Sequence, residues 1–260
     1  MGDALILQKT YIKKTFSEIK LTEANSTGYG NSSSQDLVWT ADEACTIIMY
    51  SANDEGVSNL KGSYTITGTY KILYDAANST DTLEARHRCV IAEVSAGSVI
   101  TFACNSGNRI GRAIVKIPLT KLKITKLNFS RNTATGGNQL ISTNSGTAAG
   151  LSYEKNHAYL CVGEMGYHDL SSPESKGISI SQTNCTYSYI TRGAGSASAS
   201  YNATMASSPT GTAWGWSAAG CGIFIPTTDS SSTFNLNPYI NKSYQSGAWA
   251  ATWTFEIWQN

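Results

Sequence analysis

Apolar and polar positions alternate with a period of two wherever apolar residues cluster along this chain. The C-terminal run is the clearest case: Trp249, Ala251, Trp253, Phe255 and Ile257 fall on one face and Ala250, Thr252, Thr254, Glu256 and Trp258 on the other. A strand turns successive side chains to opposite sides of its sheet, so this spacing predicts a half-buried strand. The same reading places strands in the first half at Cys45–Tyr50, Tyr64–Tyr74, Arg88–Val94, Ser98–Cys104 and Ala113–Ile117. In the second half it places them at His157–Gly163, Gly177–Ser181, Cys185–Thr191, Tyr201–Met205, Thr212–Trp216 and Gly222–Pro226. Short strands at about a dozen residues' spacing, with turn formers between them, predict an all-β fold of sandwich or jelly-roll type.

The halves carry matching pieces. Thr46-Ile47-Ile48-Met49 corresponds to Ala158-Tyr159-Leu160-Cys161, and the run from Ala96 through Phe102 to Pro118 corresponds to that from Thr210 through Trp216 to Pro226. We therefore expect a duplicated unit: two tandem antiparallel β-sandwich, jelly-roll-like domains over residues 31–126 and 151–260. The Thr, Asn, Gly and Ser-rich stretch 127–150 is expected to be a linker. Residues 1–30 fit neither unit. Their apolar Leu5, Ile12 and Phe16, among lysines, predict an arm that anchors the protein to something larger.

Composition changes this picture in one respect, the source of solubility. Ser, Thr, Asn and Gly make up 103 of 260 residues, only 14% are charged, and the net charge is +1. Those four types disfavour helix interiors, which argues against a helical bundle, and a neutral balance argues against a nucleic-acid partner. Residues 128–260 hold only 5 Lys/Arg and 6 Asp/Glu, so this half is solvated by hydroxyls and amides. No window is long and apolar enough for a membrane-spanning helix, and the N-terminus has its lysines after its apolar run, the wrong order for a signal peptide. The cysteines, Cys45, Cys89, Cys104, Cys161, Cys185 and Cys221, form no CxxC and fall three to a half, which predicts buried free thiols.

Candidate chemistry is sparse. Gly107-Asn108-Arg109-Ile110-Gly111-Arg112 lacks the ending of a phosphate loop and is expected to be a hairpin turn. Glu154, His157, Glu164, His168, Asp169 and Glu174 cluster in sequence, but among turn formers, and are expected to be solvated rather than catalytic or metal-binding. Neither an enzyme nor a cofactor is expected. Lys116, Lys121 and Lys123 alternate with apolar residues and predict a basic strand edge that blocks aggregation. Five of the six tryptophans lie in the last 47 residues, which predicts a core or subunit interface. Trp214, Trp216 and Trp258 are the candidate contacts for a glycan or a partner.

With Val94–Phe102 and Gly211–Pro226 as its best local pieces, the combination of arm, tandem Ser/Thr/Asn/Gly-rich β units and unpaired cysteines resembles a bacteriophage virion appendage. That class includes tail-fibre, baseplate receptor-binding, head-fibre and capsid-decoration proteins. The resemblance implies a virion location and a homo-oligomer, expected to be a trimer. It also implies contacts with other virion proteins through residues 1–30 and a distal head that meets a host-surface glycan. A capsid-decoration or head-fibre role is the alternative to host attachment, and a polysaccharide-degrading enzyme is a more distant one.

Overall fold

The computed structural model describes residues 21–27, 36–53, 63–78, 87–103, 110–134, 137–143, 145, 151–168, 175–195, 215–229, 231–244 and 247–259. The fold is all-β: the described residues contain sixteen strands, all antiparallel where they pair, and no helix. The first eight are β1 (Thr22–Thr27), β2 (Leu37–Thr40), β3 (Cys45–Asn53), β4 (Tyr64–Thr67), β5 (Tyr70–Asn78), β6 (His87–Val94), β7 (Val99–Phe102) and β8 (Ile110–Ile117). The second eight are β9 (Leu122–Ala134), β10 (Gly137–Ser142), β11 (Ala158–His168), β12 (Ser175–Thr183), β13 (Cys185–Gly195), β14 (Gly215–Pro226), β15 (Thr233–Tyr244) and β16 (Gly247–Gln259).

The two sets share one topology. The first makes a five-stranded sheet of order β1-β8-β3-β6-β5 and a three-stranded sheet of order β2-β7-β4; the second makes β9-β16-β11-β14-β13 and β10-β15-β12. Adding eight to each strand number of the first set reproduces the second. Thr46–Met49 and Ala158–Cys161 do occupy the equivalent strands β3 and β11. Even their faces agree, because Ile47 and Tyr159 each point into their own unit's sandwich. The other sequence match set β7 and β8 against β14, whereas their equivalents are β15 and β16. A glycine turn, an apolar strand and a proline recur too often in such a chain to fix a register.

The unit boundary is also displaced from the expected one. Residues 127–142, read as part of a linker, complete β9 and form β10, which pair with β16 and β15 respectively. Only residues 118–121, with Lys121 in the left-handed region at φ 59°, separate the units. Composition misled here because Thr and Asn on an edge strand carry as little apolar signal as a loop does. Strand β15, with Phe234, Leu236 and Pro238 all buried, was missed for a related reason. Pro238 in mid-strand argues against a sheet position. Its carbonyl accepts from the Thr143 N–H just beyond the end of β10, so the missing N–H of proline breaks no ladder there.

The four sheets stack in four layers with three cores. Leu37, Ile47, Met49, Val90, Ile100 and Phe102 fill the space within the first unit, and Tyr159, Cys161, Phe224, Phe234 and Leu236 that within the second. The largest core lies between the units, where the two five-stranded sheets meet. Ile48, Tyr50, Ile91 and Val115 of one pack against Leu160, Val162, Ile223, Trp253 and Phe255 of the other. Tyr74 of β5 meets Phe255 edge-on at 4.7 Å across this interface. Strand β5 lies over β9, β3 over β11 and β14, and β8 over β13 and β14, so the two five-stranded sheets face each other.

Central strands are therefore buried on both faces and read as nearly continuous apolar runs, as doubly covered strands do. This corrects the half-buried reading of the last strand. Ala250, Thr252 and Thr254 are as buried as Ala251, Trp253 and Phe255.

Candidate functional site

The acid and histidine residues that cluster in sequence are dispersed by the fold. His157 precedes β11 at one end of the second unit, with Nδ1 2.5 Å from Glu256 Oε1 and Nε2 3.3 Å from Glu154 Oε2. The Glu154 amide donates to the Tyr159 hydroxyl at 2.9 Å, so the pair of contacts clasps the turn of residues 154–157 to β11 and β16. Sequence reading did not identify Glu256, which is 99 positions away from His157. Glu164 lies six residues along β11 and faces the core between the units. Asp169 and Glu174 lie outside the described residues, as does the side chain of His168. No group of three or more His, Cys, Asp or Glu that could hold a metal ion occurs among the described residues.

Glu164 was expected to be solvated and is instead completely buried. Burial pushes its carboxyl well above the usual range, opposed by a smaller hydrogen-bond contribution from the Ser51 backbone across the interface. The folded state thus keeps the acid protonated, while the unfolded chain releases the proton near pH 4.3, the ordinary glutamate value. The favourable contribution is present below that pH and is lost as pH rises above it towards the raised folded value. Glu164→Gln, which keeps the shape without the titration, should melt higher than wild type at pH 8 and flatten the fall in melting temperature between pH 4 and pH 8. Parallel pH–melting curves for the two proteins would count against this account.

The lysines divide as well. Lys123 is exposed on β9, an edge strand, and Lys121 is exposed just before it. A bulge in the pairing of β9 with β16 turns out Leu127, so charge and irregularity both protect this edge from further pairing. Lys116 is not on an edge. It sits on β8, between β1 and β3, where its ammonium lies 3.0 Å from Asp42 and 2.8 Å from Glu43. Those carboxylates raise the Lys116 pKa.

Of the tryptophans, Trp253 is the largest fully buried side chain and packs on Phe129 at 4.9 Å in the core between the units. Trp258 is half-buried on β16, in register with Lys123. Trp214 lies outside the described residues, and Trp216 is placed only as a backbone position in β14, opposite Tyr167 and Gly195. The anchoring candidates Leu5, Ile12 and Phe16, with the whole arm up to residue 20, also lie outside them. Cys45, Cys89, Cys161 and Cys221 are buried free thiols and Cys185 is partly buried. Burial raises the pKa of Cys161 to about 12 and of Cys45 and Cys185 to about 11, so none is a ready nucleophile.

The described outer faces of the two three-stranded sheets are uncharged. The outer face of the sheet β2-β7-β4 carries Val38, Thr40, Thr65, Thr67, Val99 and Thr101 in paired rows. That of β10-β15-β12 carries Ser179, Ser181, Thr233, Asn235, Asn237 and Tyr239. Asn235 Nδ2 donates to Ser181 Oγ across two strands at 3.2 Å, and Ser179 Oγ donates to the Asn237 carbonyl at 3.4 Å. No described side chain on either face carries a charge. This arrangement presents hydroxyls and amides at strand spacing and favours neutral, hydrogen-bonding partners over ionic ones.

No protein-family model matches the chain, and no curated protein matches it. Among solved structures, the infectious bursal disease virus VP2 subviral particle is 9% identical, with 93% of this chain and 77% of that chain covered and a TM-score of 0.12. The Gt strain of the same virus gives 8%, 93% and 75%, again with a TM-score of 0.12. At that level of similarity neither structure shares a demonstrated fold with this chain.

Proposed function

We propose that this protein is a non-enzymatic structural component of a phage particle, anchored by residues 1–30 and presenting its β units for attachment to the host surface. Each unit is, on this reading, a jelly-roll variant. Strands 1, 3, 6 and 8 lie in one sheet and 2, 4 and 7 in the facing one, with strand 5 added beside strand 6. The observation that carries the proposal is the pair of uncharged outward faces on a rigid four-layer stack. A virion surface gains from rejecting nonspecific ionic contacts while keeping hydrogen-bonding groups for a specific one. The aromatic, weakly charged second half supports assembly as a homo-oligomer, proposed to be a trimer.

Antibody labelling of purified particles, combined with adsorption assays in which free protein competes, tests this directly. Labelling at the tail and a dose-dependent block of adsorption are expected. Labelling over the capsid without a block would move the protein to the decoration or head-fibre role. Its absence from particles would end the proposal.

A further inference from the structure

We infer that Tyr187 and Tyr189 on β13 form a stacking ledge for a neutral pyranose glycan. This inference rests on the host-attachment reading and names the chemistry of its contact.

The ledge arises from a mismatch in sheet width. In the second unit β12 lies over β14, β15 over β11, and β10 over β16 and β9, while β13, at the edge of the wider sheet, meets the smaller one through β12, to which the Asn184 corner joins it, and through Phe234 of β15. Residues 185, 187 and 189 alternate onto the side that faces the smaller sheet, where cover thins from Cys185 to Tyr187, while Ser188 and Ile190 face the first unit. There Ser188 Oγ accepts from the Leu21 amide at 3.0 Å, and Ile190 packs against the core between the units.

Tyr187 is consequently 47% exposed, although it sits in the same row as the buried rings of Phe224 and Tyr159. Its ring lies 5.9 Å from that of Tyr189 with 17° between their planes, so the two rings stack on each other as one aromatic unit. A ring left half-uncovered in a core row is an unspent apolar face, and the C–H side of a pyranose matches it in size and polarity.

The ledge is also held in place before any ligand arrives. Tyr187 rests on Phe234 at 6.2 Å, and Phe234, fully buried, stacks on Phe224 at 4.3 Å and 10°. The chain enters β13 through a one-residue corner at Asn184, φ 53°, whose carbonyl accepts from the Thr227 amide, the Thr227 hydroxyl and Ser232 Oγ. Gln182 Oε1 accepts from the Cys185 amide at 3.4 Å, which places an amide group beside the platform. From Gln182 to Ile190 no residue is charged. An aromatic pair beside an amide in an uncharged segment suits an uncharged sugar and offers nothing to an acidic one. The first unit lacks this arrangement. There a bulge in β5 sends Tyr74 to the opposite side, and Tyr64 is occupied by Arg88 at 5.0 Å.

The test uses the full chain on an array of neutral and acidic oligosaccharides, with Tyr187→Ala, Tyr189→Ala and Tyr187→Phe measured beside wild type and melting temperatures recorded. Wild type should bind neutral oligosaccharides, each alanine variant should lose about tenfold or more in affinity, and the phenylalanine variant should stay close to wild type. If alanine at 187 lowers the melting temperature, Tyr187→Gln, which keeps a long side chain over Phe234 without a ring, should show the same loss. Failure of wild type to bind any neutral glycan, or binding indifferent to these substitutions, would overturn the ledge. A protein that blocks adsorption yet ignores neutral glycans would defeat the ledge alone. One that binds through the tyrosines but is missing from particles would defeat the virion reading alone.

Discussion

Dividing the chain between Pro118 and Lys121 should yield two fragments that do not fold as soluble monomers but recover the native structure when mixed. Each five-stranded sheet would expose to water the face it now buries: Ile48, Tyr50, Ile91, Val115 and Ile117 on one side, Leu160, Val162, Ile223, Trp253 and Phe255 on the other. A fully buried side chain of this size contributes roughly 1.5–3 kcal/mol, and a whole domain retains only about 5–15 kcal/mol of net stability. Five such side chains on either fragment therefore cancel most of what either unit could hold alone. Separate expression should give aggregates or homodimers that pair the two exposed faces. Co-refolding should restore a cooperative transition and a circular dichroism spectrum like that of the intact chain. Two fragments that are each monomeric and cooperatively folded would show that the interface is dispensable and the units autonomous.

Substituting Gly163 should overpack and destabilise the second unit. A Cβ at this position on β11 would lie 2.1 Å from Leu236 Cδ2 and 3.4 Å from Pro238 Cδ. Leu236 is fully buried and cannot swing into solvent, so it must take a strained position or its strand must shift. Overpacking of this kind costs about 1–3 kcal/mol, and Gly163→Val should sit at the upper end of that range. Leu236→Ala alone should cost about 2–5 kcal/mol through the cavity it leaves. The two together should cost clearly less than their sum, because the valine fills space the leucine vacates, and a denaturant-based double-mutant cycle reads that coupling. Additive losses would mean that the two residues do not share the space.

Several elements needed no tertiary information. Alternation alone located β3, β6, β8, β11 and β16 within a few residues, and the correspondence of β3 with β11 was already visible in the run of apolar residues. The positive-φ corners were less legible. Tyr64–Tyr74 reads as one strand, yet Gly68 at φ 93° breaks it into β4 and β5, which belong to different sheets. Nothing in a period-two pattern records which sheet a strand joins.

What the sequence by itself determined was the fold class, the sparse charge of the second half and the existence of a repeat, because period, composition and local similarity are properties of neighbours in the chain. Only the tertiary structure decided that the two units share a core, that Glu164 lies inside it, and that His157 meets Glu256. It also decided that Tyr187 stays half-exposed while Phe224 beside it is covered. The reason is that burial depends on how many layers lie above a strand and how wide each is. An alternating strand looks much the same whether one sheet, two, or none covers its second face.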